Sequence, residues 1–262
     1  MSILTAHAEV VTLGTSNGLF NTGVEADDLT PIPGDPTGNA NPPDPHYTVS
    51  YYADPAIDAP PTTYTTGYYG TPTSSGQAYV ADPTSTDPYD STGAHNWVPL
   101  STTVTSQWIT YQAFMGTSAS QMGSVLSTPA TAVTVYQLVL SSIPAGDQVT
   151  LQGQVASDDN VTIYANGTKL FSNYSVTDDG TVNDGNYNQL NTLSGLTFAS
   201  DGESNDLDFV VINNGGYPTG LNLKLTGSYV TGAVPEPSTY AMLGVSLLAL
   251  LIWGRVARRE QV

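Results

Sequence analysis

Through most of residues 9–232, side chains of one character recur at every second position, and the three-to-four spacing of a helix is almost absent. A period of two is the mark of a strand, because successive side chains leave opposite faces. Val133, Val135, Gln137 and Val139 share one face, with Tyr136, Leu138 and Leu140 on the other. Val149, Leu151, Gly153 and Val155 alternate with Thr150, Gln152 and Gln154, and Leu221, Leu223 and Leu225 with Asn222, Lys224 and Thr226. The unbroken "LDFVVI" at Leu207–Ile212 predicts a central strand covered on both sides. In "VTIYANGTKLF", Asn166-Gly167 sits between two strand-like runs, the signal of a type I′ hairpin. Many short strands with Gly and Asn turns predict an all-β chain, an antiparallel β-sandwich.

Residues 31–99 depart from that pattern. They hold thirteen of the 18 prolines and eight of the 16 tyrosines. Proline cannot donate to a ladder, so the prediction here is long Pro/Tyr-rich loops interrupted by edge strands such as Tyr47–Tyr52. The aromatics argue against plain disorder. No internal repeat is visible.

Charge narrows the partners. Ahead of Arg255 stand only Lys169 and Lys224 against all but one of the 23 acidic residues. So acidic a body repels nucleic acid and anionic membrane surfaces, and nucleic acid is set aside. It can still hold Ca²⁺. Cysteine is absent, which removes disulfides, thiol chemistry and Cys-ligated metal.

The end of the chain is different again. From Pro237 to Gly254 no residue is charged, and Arg255, Arg258 and Arg259 follow. A helix of that length spans about 27 Å, a little less than the ~30 Å of a hydrocarbon core. Met242–Trp253 is apolar nearly all round, where a buried helix would show one apolar face. Ser238 is a good N-cap after Pro235 and Pro237, Tyr240 and Trp253 suit the two interfaces, and the arginines mark the cytoplasmic side. The expectation is one C-terminal transmembrane helix over 238–254, with the body outside.

A Pro235-Glu236-Pro237 triplet, a short apolar helix and a terminal Arg cluster resemble the PEP-CTERM sorting signal of Gram-negative bacteria, also described as an ice-binding protein C-terminal motif. The resemblance covers residues 234–259. It implies that an exosortase is a partner, that Pro235, Glu236 and Pro237 are its recognition site, and that the product associates with exopolysaccharide. Such a protein must first be exported. Ala6-x-Ala8 in "MSILTAHA" has the small residues of a signal-peptidase site, but eight residues are too few for a signal peptide. Residues 1–8 are therefore read as the remnant of one, from a start placed too far downstream or from trimming.

A looser resemblance covers about Val10–Val230. "LFNTGVE", "DPHYTV", "SQWITY", "SDDNVTIYANG" and "LDFVVINNGGYPTGLNLKLTG" together look like a galactose-binding-like jelly-roll domain. That implies one domain over 9–232, with 31–99 loop-rich, followed by the sorting signal at 233–262. It supplies no functional residues by position.

Catalytic chemistry is hard to find. His7, His46 and His95 are scattered, no G-x-S-x-G or H-E-x-x-H occurs, and an acidic chain offers carboxylate pairs by accident. Two acidic loops have the hard-oxygen composition that Ca²⁺ takes: "SDDN" with "TDDGTVNDGN", carrying Asp158, Asp159, Asp178, Asp179 and Asp184, and "SDGESNDLD" at Ser200–Asp208. Neither has EF-hand spacing, and solvated turns are the favoured reading over structural calcium. Tyr68, Tyr69 and Trp97 are candidates for stacking on a sugar ring, while Trp108 reads as core. The Thr-rich stretches lack a constant period, which tells against ice binding. The expectation is a non-enzymatic exported protein, periplasmic and membrane-anchored before processing, then at the cell surface or in the biofilm matrix, binding exopolysaccharide or a surface glycan without a cofactor other than calcium. The alternative is a secreted hydrolase acting on polysaccharide.

Overall fold

The computed structural model describes residues 8–33, 41–53, 60–81, 106–111, 131–175, 190–214, 219–232 and 246–248. Eleven strands form among them: β1 (Val10–Thr12), β2 (Pro43–Ala53), β3 (Ser74–Val80), β4 (Ile109–Thr110), β5 (Thr131–Ser141), β6 (Gln148–Asp158), β7 (Asn160–Ala165), β8 (Thr168–Ser172), β9 (Asn191–Ala199), β10 (Ser204–Asn214) and β11 (Gly220–Val230). They join one sheet in the order β8-β7-β10-β5-β2-β3-β4-β11-β6-β9, and β1 pairs with β11 off this path. The all-β, antiparallel expectation holds. The strands are hydrogen-bonded in one sheet that is nearly barrel-like. One continuous sheet curls until its terminal strands, β8 and β9, approach each other. Its concave face carries a single core fed by both ends of the order, with Ile163 of β7 and Leu193 of β9 in the same cluster as Phe209, Tyr136 and Leu221. Alternation specifies that one face is buried. It does not specify whether a second sheet or the same sheet supplies the cover.

Individual predictions can be traced through the register. β10 lies between β5 and β7, with Phe209 opposite Tyr136 and Ile163. Its Leu207, Phe209 and Val211 enter the main core, and Val210 and Ile212 enter a second cluster on the outer face. That is the doubly covered strand expected at Leu207–Ile212. Asn166 and Gly167 join β7 to β8 with φ of 47° and 76°, between the paired Ala165 and Thr168. Both values are left-handed, as the type I′ turn requires. Gly153 marks a register shift in β6, where a Cβ would fall onto the Lys224 carbonyl.

One prediction is reversed. The segment Tyr47–Tyr52 is no edge; β2 sits between β5 and β3. Pro43 and Pro45 lie at its start, ahead of the regular ladder that begins at Thr48 after a register shift. Proline placed before the ladder costs no hydrogen bond within it. Asp44 fixes that start: wholly buried, it accepts the backbone N–H groups of Gly23 at 2.7 Å and His46 at 2.8 Å. Trp108 is wholly buried, as expected.

The chain divides into a unit of Thr12–Tyr229 and a smaller one of Met1–Val11 with Val230–Val262. In the smaller, Thr231 N donates to the Glu9 carbonyl at 2.9 Å and Glu9 N to Thr231 Oγ1 at 3.1 Å. Of the expected helix over 238–254, only Ser246–Leu248 is described, and it is helical. Among the described residues no helix is long and apolar enough to cross a membrane.

Candidate functional site

Toward one end of the curled sheet the inward positions change character. On β10 the inward series Leu207–Phe209–Val211 continues to Asn213, and on β5 the series Leu140–Leu138–Tyr136 continues to Thr134. On β2, Tyr47 and Val49 are followed by Tyr51, which lies opposite Thr134. Thr219 precedes the inward Leu221, Leu223 and Leu225 of β11. A polar residue that keeps the phase of an apolar series is forced inside by its neighbours. Accordingly Thr134 is 0% exposed, Thr219 1% and Asn213 3%.

Aromatic rings line the same region. Tyr51 stacks on Tyr111, with centroids 4.1 Å apart and planes 4° from parallel. The Tyr136 hydroxyl donates to the Thr219 carbonyl at 3.5 Å. Burial pushes the Tyr136 phenol well above its ordinary range, Tyr111 and then Asp158 adding to the effect. Tyr51 and Tyr111 are also pushed up by burial. All three are neutral phenols at physiological pH. The hydroxyls of Thr134 and Thr219 are buried and make no hydrogen bond.

The acidic corner stands beside them. β6 runs to Asp158 and β7 starts at Asn160, so the chain reverses at Asp159. The peptide bond between the two aspartates is cis. Ser157 Oγ donates to the Asp159 carbonyl at 2.9 Å, and Asp159 N reaches the Ile212 carbonyl at 3.4 Å. Asp158 and Asp159 are each only 4% exposed, and Asn160 1%. Buried carboxylates are costly to desolvate and are held by hydrogen bonds, paired charges or coordinated cations. Among the described residues no group of three or more His, Cys, Asp or Glu is arranged to hold a metal. Two carboxylates with amide and carbonyl oxygens nonetheless make the hard-oxygen mixture that Ca²⁺ accepts.

The other candidates fall elsewhere. Asp178, Asp179 and Asp184 lie outside the described residues, as do Trp97, Ala6, Pro235, Glu236, Pro237, Arg255, Arg258 and Arg259. Ala8 is described and exposed. The second acidic loop is a hydrogen-bonded turn: Asn205 Oδ1 accepts Asp201 N at 2.8 Å, and its Nδ2 donates to Ser200 Oγ at 3.1 Å. His46 stacks on Phe20 with centroids 3.6 Å apart; His7 and His95 are outside the described residues.

Tyr68 and Tyr69 are on the outer face, away from the inward series. They ride on a strap, residues 60–70, pinned to the β7–β8 hairpin. Tyr64 N donates to Gly167 O at 2.8 Å, Tyr164 Oη to Pro61 O at 2.8 Å, and Lys169 Nζ to Pro60 O at 2.8 Å. Tyr69 packs beside Tyr52 and Tyr64, and Tyr68 meets it edge-on at 87° and 4.9 Å. Sequence reasoning missed Thr134, Asn213 and Thr219. Their signal was present as polar residues in phase with an inward apolar series.

Comparison with known proteins adds the following. A family profile for the PEP-CTERM protein-sorting motif matches residues 233–259, so the tail is that motif, which implies export and sorting to the cell surface. No curated protein matches the chain. Among solved structures, the chain is similar to a PA14 sugar-binding domain from an RTX adhesin at 18% identity, covering 69% of this chain and 88% of that one, with a TM-score of 0.30. It is similar to the PA14 domain of the MpAFP antifreeze protein at 14% identity, with coverage of 73% and 84% and a TM-score of 0.30. A β-glucosidase from Kluyveromyces marxianus in complex with glucose matches at 6% identity, with coverage of 82% and 26% and a TM-score of 0.31.

Proposed function

We propose that this is an exported, surface-sorted protein whose body binds a glycan through calcium, without turning it over. The observation that carries the reading is the pair of almost fully buried carboxylates, Asp158 and Asp159, beside inward residues that turn polar. Ca²⁺ takes six to eight oxygen ligands, so carboxylates, amides and carbonyls leave places for the hydroxyls of a sugar. The unbonded hydroxyls of Thr134 and Thr219 are polar groups in want of such a partner. The tail supports the surface role: the sorting motif at 233–259 suits an exosortase that recognises Pro235–Pro237, after which the released body associates with exopolysaccharide.

The test uses the full chain in mild detergent. Calcium is expected to raise the melting temperature and to retain the protein on a matrix of the host's exopolysaccharide, with chelator eluting it. Asp158→Asn should remove both effects. Retention indifferent to chelator and to that substitution would refute the calcium reading. Turnover of the polysaccharide that disappears in the same variant would establish the hydrolase instead.

A further inference from the structure

We propose that the strap on the outer face is a second glycan site, in which Tyr68 stacks on a neutral pyranose unit and no calcium takes part. This site is independent of the Asp158–Asp159 corner. Tyr68 is 50% exposed, whereas Tyr52 and Tyr64 of the same aromatic cluster are 4% exposed. The cluster therefore holds its other rings as a base and keeps one in water. The edge-on contact with Tyr69 sets the orientation of that ring.

The loop is built to hold it still. Besides the bonds to Gly167, Tyr164 and Lys169, two successive turns close within the strap, Tyr68 N to Thr65 O and Gly70 N to Gly67 O, both at 2.9 Å. Beyond it, Thr73 N donates to Tyr51 O at 2.7 Å. A ring fixed in advance loses little freedom on binding, which is where surface loops usually lose affinity. The glycines of these two turns border open space: a Cβ at Gly67 or Gly70 would meet nothing within 4 Å. Thr65 and Thr66 are exposed there and supply hydroxyls. An aromatic face with a few polar groups around it suits the apolar C–H face and hydroxyl rim of a sugar.

Charge selects among sugars. Residues 60–73 contain no charged side chain, while the chain as a whole stands at −18. A polyuronate would be repelled by the acidic body, and the Lys169 ammonium at the foot of the strap is already engaged by the Pro60 carbonyl at 2.8 Å, whereas a neutral polymer meets no such repulsion. Lacking a carboxylate, the strap has no use for calcium.

Electrophoresis of the full chain in mild detergent, through gels carrying a neutral β-glucan, a neutral α-glucan or a polyuronate with chelator present, tests this. One neutral polymer should retard the protein and the polyuronate should not. Tyr68→Ala should weaken the retarding affinity by about tenfold, roughly the loss of one stacking contact. Its melting temperature should be unchanged, and Tyr68→Trp should restore binding. Equal retardation of Tyr68→Ala and the parent would overturn the proposal, as would retardation seen only when calcium is supplied, or none by either neutral polymer. The latter two results leave the calcium site to its own assay.

Discussion

β10 runs between two polar ends that are managed in opposite ways. Where it begins, Asn205 takes part in a closed knot: its Oδ1 accepts Asp201 N at 2.8 Å and Asn166 Nδ2 at 3.0 Å, and its Nδ2 donates to Ser200 Oγ at 3.1 Å. Ser200 Oγ in turn donates to Ile143 O at 3.0 Å and accepts Gly202 N at 3.1 Å. Where β10 finishes, Asn213 lies among inward residues that include the unbonded hydroxyls of Thr134 and Thr219. Both ends are buried. Polar groups that close on one another hold loops together, whereas buried hydroxyls left open carry a desolvation cost that a ligand's oxygens can offset.

The largest effect should come from breaking the closed end. Asn205→Ala removes bonds to the buried Ser200 hydroxyl, to Asp201 N and to the half-buried Asn166 amide together, and should cost about 3 kcal/mol in chemical denaturation. The melting shift produced by calcium should stay as it is, because that ion belongs to the other end. A variant that lost the calcium shift as well would show that the two ends are coupled.

The next effect belongs to the open end. At calcium a hundredfold above its dissociation constant, stability should rise by about 2.7 kcal/mol. Asp159→Asn should abolish that gain, and in chelator it should melt no lower than the parent, since a buried charge has gone. An unaltered calcium response in Asp159→Asn would remove the corner from the metal site.

Between the ends, on the outer face, Asp208 sharpens the contrast through pH. Burial first, and then the nearby Asp206, push its carboxyl from 3.8 up to about 6, although Gln137 Nε2 donates to it at 3.1 Å. A folded-state value above the unfolded one means that ionisation opposes folding. Below about pH 4 there is no cost; it grows as pH climbs toward 6 and is complete above that. Allowing for residual solvent, about 1–2 kcal/mol should be lost over this window. Asp208→Asn should match the parent at pH 3.5 and exceed it at pH 7.5 in denaturant titrations. A variant advantage equal at both values would mean that packing, not charge, is responsible.

The smallest effect separates the two kinds of hydroxyl. Thr219→Val removes a group that bonds to nothing and should leave stability level or raise it by up to about 1 kcal/mol, while weakening glycan retention. Ser200→Ala, at the closed end, should cost about 1 kcal/mol and leave retention untouched. Equal costs for the two substitutions would erase the distinction between the ends.

Much of this molecule was legible one residue at a time. The alternation of Val133 through Leu140, the unbroken run at Leu207–Ile212, the Asn166-Gly167 turn and the sorting motif at the tail are local in character. Strand period, turn dihedrals and a linear recognition motif need no distant partner to be expressed. The site was only half legible. Asp158 and Asp159 stood out as an acidic pair, but nothing local distinguished a buried corner from a solvated turn.

The tertiary structure alone decided the rest. Pairing between strands far apart in sequence curled one sheet nearly into a barrel, and placed the proline-flanked β2 in the middle rather than at an edge. It also brought Tyr51, the β5 pair Thr134 and Tyr136, and Thr219 from three separate stretches of chain to one end of the interior. Which strand neighbours which is a property of long-range register. Two sequences with the same alternation can satisfy it in different ways, so the pattern of faces is written in the chain, and the identity of what each face meets is settled only when the sheet closes.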